Sequence, residues 1–383
     1  MTSPANSPQS GLRDAVVGDT RLSSIDGDAG KLTYCGFDIA DLAQRSTFEE
    51  IAYLLWHHAL PAGDNLTAFR RSLSERRALT PDLAATLRTL PPDAVTMDVL
   101  RTMVSAAALY DPSTKDLSPA STLEKAIRLT AVFPTILAAY RRLEQGLEPI
   151  EPRADLDTAA NFLYMLAGTE PDPFASRVLD AALVLHADHG MNASTFSAIV
   201  TAATLSDLYS AITSAIATLK GPLHGGANEE VIENLREIGD IGAVDSWVES
   251  KLSRHEKIMG FGHAVYRAYD PRAAVLKKIA NEAGTKAGTT KWVEMTAAME
   301  QAVWTRRGLY PNVDLYSATV YHTLGIPTRY FTAVFAMSRV VGWCAHVMEQ
   351  YADNRLIRPK DHYVGSRDLQ YVPIEQRRQD IAV

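Results

Sequence analysis

The segment Lys257–Arg272, KIMGFGHAVYRAYDPR, sets His263 behind Gly260 and Gly262 and ahead of Arg267 and Arg272. Between Lys251 and Lys278, seven basic residues stand against two acids, a local charge of +5 in a chain of net charge −7. Such a patch raises the local concentration of an anionic substrate or cofactor, although a solvated basic surface would have the same composition. A second glycine-flanked histidine, His224 in KGPLHGGAN, comes just before EEVIENLREIGD. There Val231, Ile232, Leu235 and Ile238 form an amphipathic stripe that stops at Gly239. His224 is therefore predicted on a loop at a helix N-terminus. The positive end of the helix dipole disfavours imidazolium there, and a neutral ring can donate a hydrogen bond to a developing oxyanion. A surface loop histidine is the plainer reading of the motif alone.

Three further groups invite chemistry. In LHADHGMNAS, His186 and His189 are three apart and adjacent if helical. With Asp188 they could serve a histidine-based metallohydrolase, but no second ligand motif accompanies them, so substrate hydrogen bonding or core roles are expected rather than a metal. Asp314, after the Pro311-Asn312 turn signal, reads by default as a helix N-cap. Arg339 sits inside TAVFAMSRVVGWCAHVMEQY, a helix apolar on nearly every face. A permanent charge there needs a carboxylate partner, with a protein acid expected before a bound one. Arg355, Arg358 and Lys360 add a basic spot, RLIRPK.

The elements that must position these groups are mainly helical. Leu22–Cys35 alternates loosely around the turn IDGDAG and predicts a small hairpin. From Thr47 the period changes, with Phe48, Ile51, Ala52, Leu55 and Ala59 on one helical face that ends before Pro61. Helices follow at Leu66–Arg77, Pro81–Leu87, Met97–Leu109, Leu123–Arg142 (kinked at Pro134), Asp157–Leu166 and Phe174–Leu185. Thr195–Leu219, rich in Ala, Ser and Thr, is expected to lie buried against another helix, in this or another subunit. Convincing strands are absent after the start.

At 383 residues, 46% hydrophobic and 22% charged, the chain suits a soluble globular protein of one large or two smaller domains. A pI near 5.8 argues against nucleic-acid binding by the whole molecule. The two cysteines, Cys35 and Cys344, are too few for a disulfide framework and fit a reducing cytoplasm. The polar opening MTSPANSPQSG reads as a tail rather than a secretory or mitochondrial leader, and no uninterrupted apolar run reaches membrane-spanning length.

The ordered motifs LTYCGFDIADLA, LHADHGMNAS, GPLHGGANEEV, KIMGFGHAVYRAYDPR, PNVDLYSATVYHTLGIP, MSRVVGWCAHVMEQ and RLIRPKDHYVG resemble citrate synthase, of the short bacterial and archaeal type, from about Leu22 to Gly365. The resemblance implies an almost wholly helical subunit with a tail at 1–20. A large domain would comprise 21–226 and 320–383, and a small one 227–319. It implies a homodimer with shared active sites, acetyl-CoA and oxaloacetate as substrates, and no cofactor, nucleic acid or membrane. It gives Asp314 the part of base, His224 that of enol-stabilising donor, and His263 that of polarising the oxaloacetate carbonyl. His189, Arg272, Arg339 and, from the partner subunit, Arg358 would hold oxaloacetate. Lys257, Met259, Gly260, Arg267 and Lys360 would hold CoA. Two positions depart from many relatives, Ala333 where a proline is common and Ala264 where many bacterial relatives have arginine. A 2-methylcitrate synthase, using propionyl-CoA with the same residues, is the close alternative. A metallohydrolase and a non-enzymatic helical scaffold are the distant ones.

Overall fold

The computed structural model describes residue 12 and residues 15–377. It divides into two units, one spanning Thr20–Leu356 and the other made of the described residues before Thr20 and after Leu356.

The larger unit opens with a three-stranded antiparallel sheet, β1 (Ser23–Asp26), β2 (Lys31–Tyr34) and β3 (Phe37–Asp38), in the order β1-β2-β3. Ser23 pairs with Tyr34 and Asp26 with Lys31, so the hairpin turns over IDGDAG as its sequence predicts. The short third strand carried no period to reveal it. Sixteen α-helices follow among the described residues: α1 (Ile39–Arg45), α2 (Phe48–His57), α3 (Gly63–Ser74), α4 (Pro81–Arg88), α5 (Thr96–Ala107), α6 (Pro119–Glu144), α7 (Thr158–Ala167), α8 (Pro173–His186), α9 (Ala193–Ala202), α10 (Leu208–Leu219), α11 (Ala227–Ile238), α12 (Val244–Ser253), α13 (Pro271–Lys286), α14 (Lys291–Arg307), α15 (Val313–Thr323) and α16 (Phe331–Ala352). The mainly α reading holds.

Local chemistry accounts for several boundaries. Thr47 and Glu50 close a capping box at the start of α2. Proline occupies the first turn of α4, α6, α8 and α13, where its missing N–H costs nothing. Gly168 and Gly239 end α7 and α11 at positive φ. Helix α6 continues through Pro134 to Glu144. The small-residue stretch 195–219 is two helices rather than one. Leu205 adopts φ 62° between them and Asp207 caps the second. These two, α9 and α10, pack on each other, and Ser197 and Ser214 touch hydroxyl to hydroxyl at 2.5 Å.

Helix α16 is the axis of the unit, packing against α2, α6, α8, α9 and α10. By length and composition it could cross a membrane, but it is buried within the protein. Gly342 makes this approach possible: a Cβ there would lie 2.4 Å from the carbonyl of Ala187 and 2.6 Å from Asp188 Oδ1. The end of α8 is thus pressed against the middle of α16, which brings His186, Asp188 and His189 beside Arg339.

Candidate active site

His224 lies on the turn before α11, whose N-cap is Gly226. The backbone N–H of Ser194 donates to its Nε2 at 3.3 Å, and the Ser194 hydroxyl lies 2.8 Å from the same nitrogen. An amide can only donate, so Nε2 is an acceptor and the proton of the neutral ring falls to Nδ1. Trp343 fixes Ser194 in turn, donating to its hydroxyl at 3.1 Å. Burial, then the charge of Arg339, lowers the His224 pKa to about 4. The ring is neutral as the sequence predicted, but burial is the main reason rather than the helix dipole alone.

His263 follows the same logic with its nitrogens exchanged. The N–H groups of Val265 and Tyr266 both donate to its Nδ1, at 3.0 and 3.1 Å, which leaves the proton on Nε2. Burial and Arg272 lower its pKa to about 4. Its ring stands 5.2 Å from that of His189 and 4.7 Å from that of Tyr266, centroid to centroid. His189 Nε2 meets the Tyr266 hydroxyl at 3.2 Å, and burial with Arg272 and His263 holds its pKa well below the usual range. Three neutral or polar rings thus share one wall.

Two contacts hold the His263 loop. Gly27, in the β1–β2 turn, accepts the Arg267 N–H at 2.9 Å, and a side chain at Gly27 would strike the Val265 carbonyl at 2.3 Å. On the other side Gly260 (φ 89°) accepts the Asn312 N–H at 2.9 Å, and Asn312 Nδ2 reaches the Gly262 carbonyl at 3.0 Å. The loop is therefore stitched to the start of α15.

Asn312, rather than Asp314, caps that helix, accepting the Asp314 N–H at 3.0 Å. The expected N-cap role of Asp314 is thereby corrected. Its carboxyl is released from capping, is buried, and has an Oδ1 without a hydrogen-bond partner. Burial raises its pKa to about 7; Arg272 and Arg339 lower it and Asp270 raises it.

The two central arginines are held differently. Arg272, 2% exposed, is bound by Asp270, its Nε at 3.0 Å from Oδ1 and its Nη2 at 2.8 Å from Oδ2. Only Nη1 stands outside that pair. Arg339, 1% exposed, donates from Nε to the His186 carbonyl at 2.7 Å and lies over the Phe335 ring at 4.7 Å. It forms no ion pair among the described residues, and its buried Nη2 has no partner. The protein acid expected for Arg339 does not pair with it directly: Asp188 and Asp314 act on it through their charges alone, and Nη2 keeps an unmet donor. Burial lowers its pKa to about 10, still protonated at neutral pH.

Lys257 and Met259 line a cavity of about 490 Å³ with His255, Ile258, Phe261 and Arg307. The sequence reading missed His255 and Arg307, since Arg307 reaches the cavity from the last turn of α14 and no local spacing links the two segments. Gly260 lies buried beside this cavity against Val231 and Leu315. Arg267 is exposed, 3.5 Å from Asp28. Arg358 and Lys360 are exposed on the coil of the smaller unit.

The metal-binding alternative loses its geometry. His186 turns Nδ1 to the Ala182 carbonyl at 2.7 Å, and His189 faces Tyr266. Asp188 pairs with His346 at 3.1 Å and Ser23 at 2.6 Å. Among the described residues no three His, Cys, Asp or Glu side chains converge as metal ligands.

The family described as "Citrate synthase, C-terminal domain" matches residues 11–360. A citrate synthase of Haloferax volcanii is 50% identical over 96% of this chain and 98% of its own length. A 2-methylcitrate synthase of Shewanella oneidensis is 41% identical, over 96% and 97%. A solved structure from Thermoplasma acidophilum, the ternary complex of citrate synthase with carboxymethyl coenzyme A and oxaloacetate, superimposes with a TM-score of 0.90 at 33% identity, over 96% and 98%.

Proposed function

Because the chain belongs to the citrate synthase family, we propose that the buried groups around Asp314 carry out its reaction in the following way. The enzyme condenses acetyl-CoA with oxaloacetate and water to citrate and free CoA. The Asp314 carboxylate removes a proton from the acetyl methyl group. A carboxyl of ordinary pKa is a weak base for a carbon acid, and burial brings this one near the operating pH. Nδ1–H of His224 donates to the thioester oxygen as charge develops on it, and neutrality lets the ring do so without first losing a charge. Nε2–H of His263 donates to the ketone oxygen of oxaloacetate and makes its carbon electrophilic. The enol carbon attacks that carbon, and water then cleaves the citryl thioester.

Oxaloacetate brings the carboxylates that Arg339 lacks. Arg339 and the free Nη1 of Arg272 suit them, with His189 alongside. Arg358, reaching from the partner subunit of a homodimer, supplies a third cation. Lys257, Met259, Gly260 and Arg267 hold CoA along the basic segment. Residues 227–319 form a small domain that moves against the rest and excludes water from the enol. The protein works in the cytoplasm without a bound cofactor.

One observation carries this reading: two neutral histidines each have one ring nitrogen capped by a backbone N–H and the other N–H free, and the arginines that act on them, Arg339 on His224 and Arg272 on His263, both act on the buried, unpartnered Asp314 carboxyl. Thiol release from acetyl-CoA, with and without oxaloacetate, tests it; absence of oxaloacetate-dependent release would overturn it. The same assay with propionyl-CoA separates the 2-methylcitrate alternative, since one methylene is worth about 1–3 kcal/mol in a pocket. A higher kcat/KM for propionyl-CoA would favour that alternative. The higher identity to a citrate synthase supports acetyl-CoA.

A further inference from the structure

The carboxylate of Asp188 joins three parts of the larger unit at the residue before His189. Its Oδ2 accepts from the Ser23 hydroxyl of β1 at 2.6 Å and from the Gly190 N–H at 3.1 Å. Its Oδ1 lies 3.1 Å from Nε2 of His346 on α16. An ionised carboxylate can only accept, so that nitrogen carries the proton and donates. Asp188 is fully buried, with three donors on its two oxygens. It has no face left for substrate and can act only through its neighbours.

The Gly190 contact closes a turn around His189 itself, since the side chain of one neighbour grips the backbone of the other. Gly190 takes φ 56°, and a Cβ there would stand 3.4 Å from Ile25 of β1. The main chain on the near side is fixed as well. The Tyr34 hydroxyl of β2 donates to the Asp188 carbonyl at 2.8 Å and accepts the Asp188 N–H at 3.1 Å. The Gly342 N–H of α16 donates to the Ala187 carbonyl at 3.1 Å. The backbone of His189 is thus set from both sides, while its ring faces Tyr266 and His263.

His346 is held in turn. Glu349, three residues further along α16, has Oε2 3.9 Å from His346 Nδ1. It accepts from the Thr20 hydroxyl at 2.8 Å and from the Arg21 N–H at 2.9 Å. Helix α16 therefore fixes the chain entering β1 through Glu349 and the turn carrying His189 through His346. The charge of Asp188 also acts on Arg339, so a test must separate geometry from charge.

We propose that Asp188 is a positioning residue for oxaloacetate binding, its carboxylate holding His189 at the substrate under the joint grip of His346 and Ser23. This rests on the proposed part of His189 as an oxaloacetate ligand.

Oxaloacetate affinity, measured by titration calorimetry without acetyl-CoA, tests this in Ser23→Ala, His346→Gln and His346→Leu. Glutamine keeps an N–H near the place of Nε2 and leucine does not, while Ser23→Ala removes one donor without altering any charge. The expected loss is about tenfold in His346→Leu and about threefold in Ser23→Ala, with His346→Gln recovering most of the affinity. At saturating oxaloacetate kcat should stay within about threefold of wild type. The deciding readout is the double-mutant cycle with His189→Ala. Once that ring is gone, Ser23→Ala and His346→Leu should weaken binding by less than about twofold more. A pair that only holds the fold costs the same affinity with or without His189. That result, or unchanged affinity in Ser23→Ala and His346→Leu, overturns the proposal while the reading of the site stands. Should His346→Leu fail to fold, Ser23→Ala carries the cycle alone. If His189→Ala binds oxaloacetate as tightly as wild type, or wild type binds none, the reading of the site fails and takes the proposal with it.

Discussion

His346 and Asp188 form a buried ion pair, Nε2 to Oδ1 at 3.1 Å, one residue before His189. Burial opposes the charge on His346, but Asp188 and Glu349 outweigh it and raise its pKa above 6.5. Burial also opposes the charge on Asp188, yet His346, Arg339 and Ser23 lower its pKa from 3.8 to about 2. The histidine contribution to stability is complete below pH 6.5 and is lost as pH climbs through the raised value. The aspartate contribution is complete above about pH 4 and is lost as pH falls toward 2. His346→Ala leaves a buried carboxylate uncompensated and is expected to cost about 3–5 kcal/mol. Urea denaturation at pH 6 measures this, and a loss below about 1 kcal/mol would show the pair to be neutral.

Asp314 should set the acid side of the rate profile. With a pKa of about 7, kcat/KM for acetyl-CoA is expected to rise with one-proton dependence through that pH. Asp314→Asn should lower kcat by about 10²–10⁴-fold. Its stability should change in the opposite sense. The raised native pKa favours the neutral carboxyl, so wild type loses stability as pH rises from about 4 through 7. Asp314→Asn should therefore melt higher than wild type at pH 8, and the difference should vanish near pH 4. Equal melting at both pH values would contradict the burial of an ionisable carboxyl.

His224 and His263 are expected to contribute no titration between pH 5 and 8, because both protonate near pH 4. His224→Gln and His263→Gln should each lower kcat by about 10²–10³-fold, the cost of an oxyanion donor. Circular dichroism should remain unchanged. A variant that instead raises only the oxaloacetate KM would move that histidine from catalysis to binding.

Gly260→Ala should destabilise the protein by about 1–3 kcal/mol. Its φ is 89°, and a Cβ would stand 2.9 Å from Val231 Cγ2 and 3.0 Å from Leu315 Cδ1. The added methyl presses on α15 one residue from Asp314, so kcat should fall with stability. A stable variant with reduced kcat only would show that the strain is absorbed by the loop.

Much of this was legible in the sequence because it repeats locally. The 3.6-residue period of Val231, Ile232, Leu235 and Ile238 predicts α11, and the glycines at 225, 226 and 262 mark the histidine turns. Pairings between distant segments leave no such period. Nothing near Asp314 says that Asn312 will take the cap, because both residues are good caps and only the packed turn chooses. Arg272 pairing with Asp270 and Arg339 forming no direct ion pair are outcomes of burial, decided by which helices close over them. The break at Leu205 lies in a run of small residues whose propensities fit one helix as well as two.

Gly27 presses its backbone against Val265 and Arg267 with no room for a side chain, across 240 residues of sequence. During synthesis the hairpin leaves the ribosome long before the loop it clasps exists. The contact that orients His263 is therefore among the longest-range in the chain, and the cost of closing that span must be met before the contact stabilises anything. Helices can form and pack while this turn still waits for its partner. The His263 loop is thus expected to become ordered late in folding, when the first strands made meet a segment from the last third of the chain.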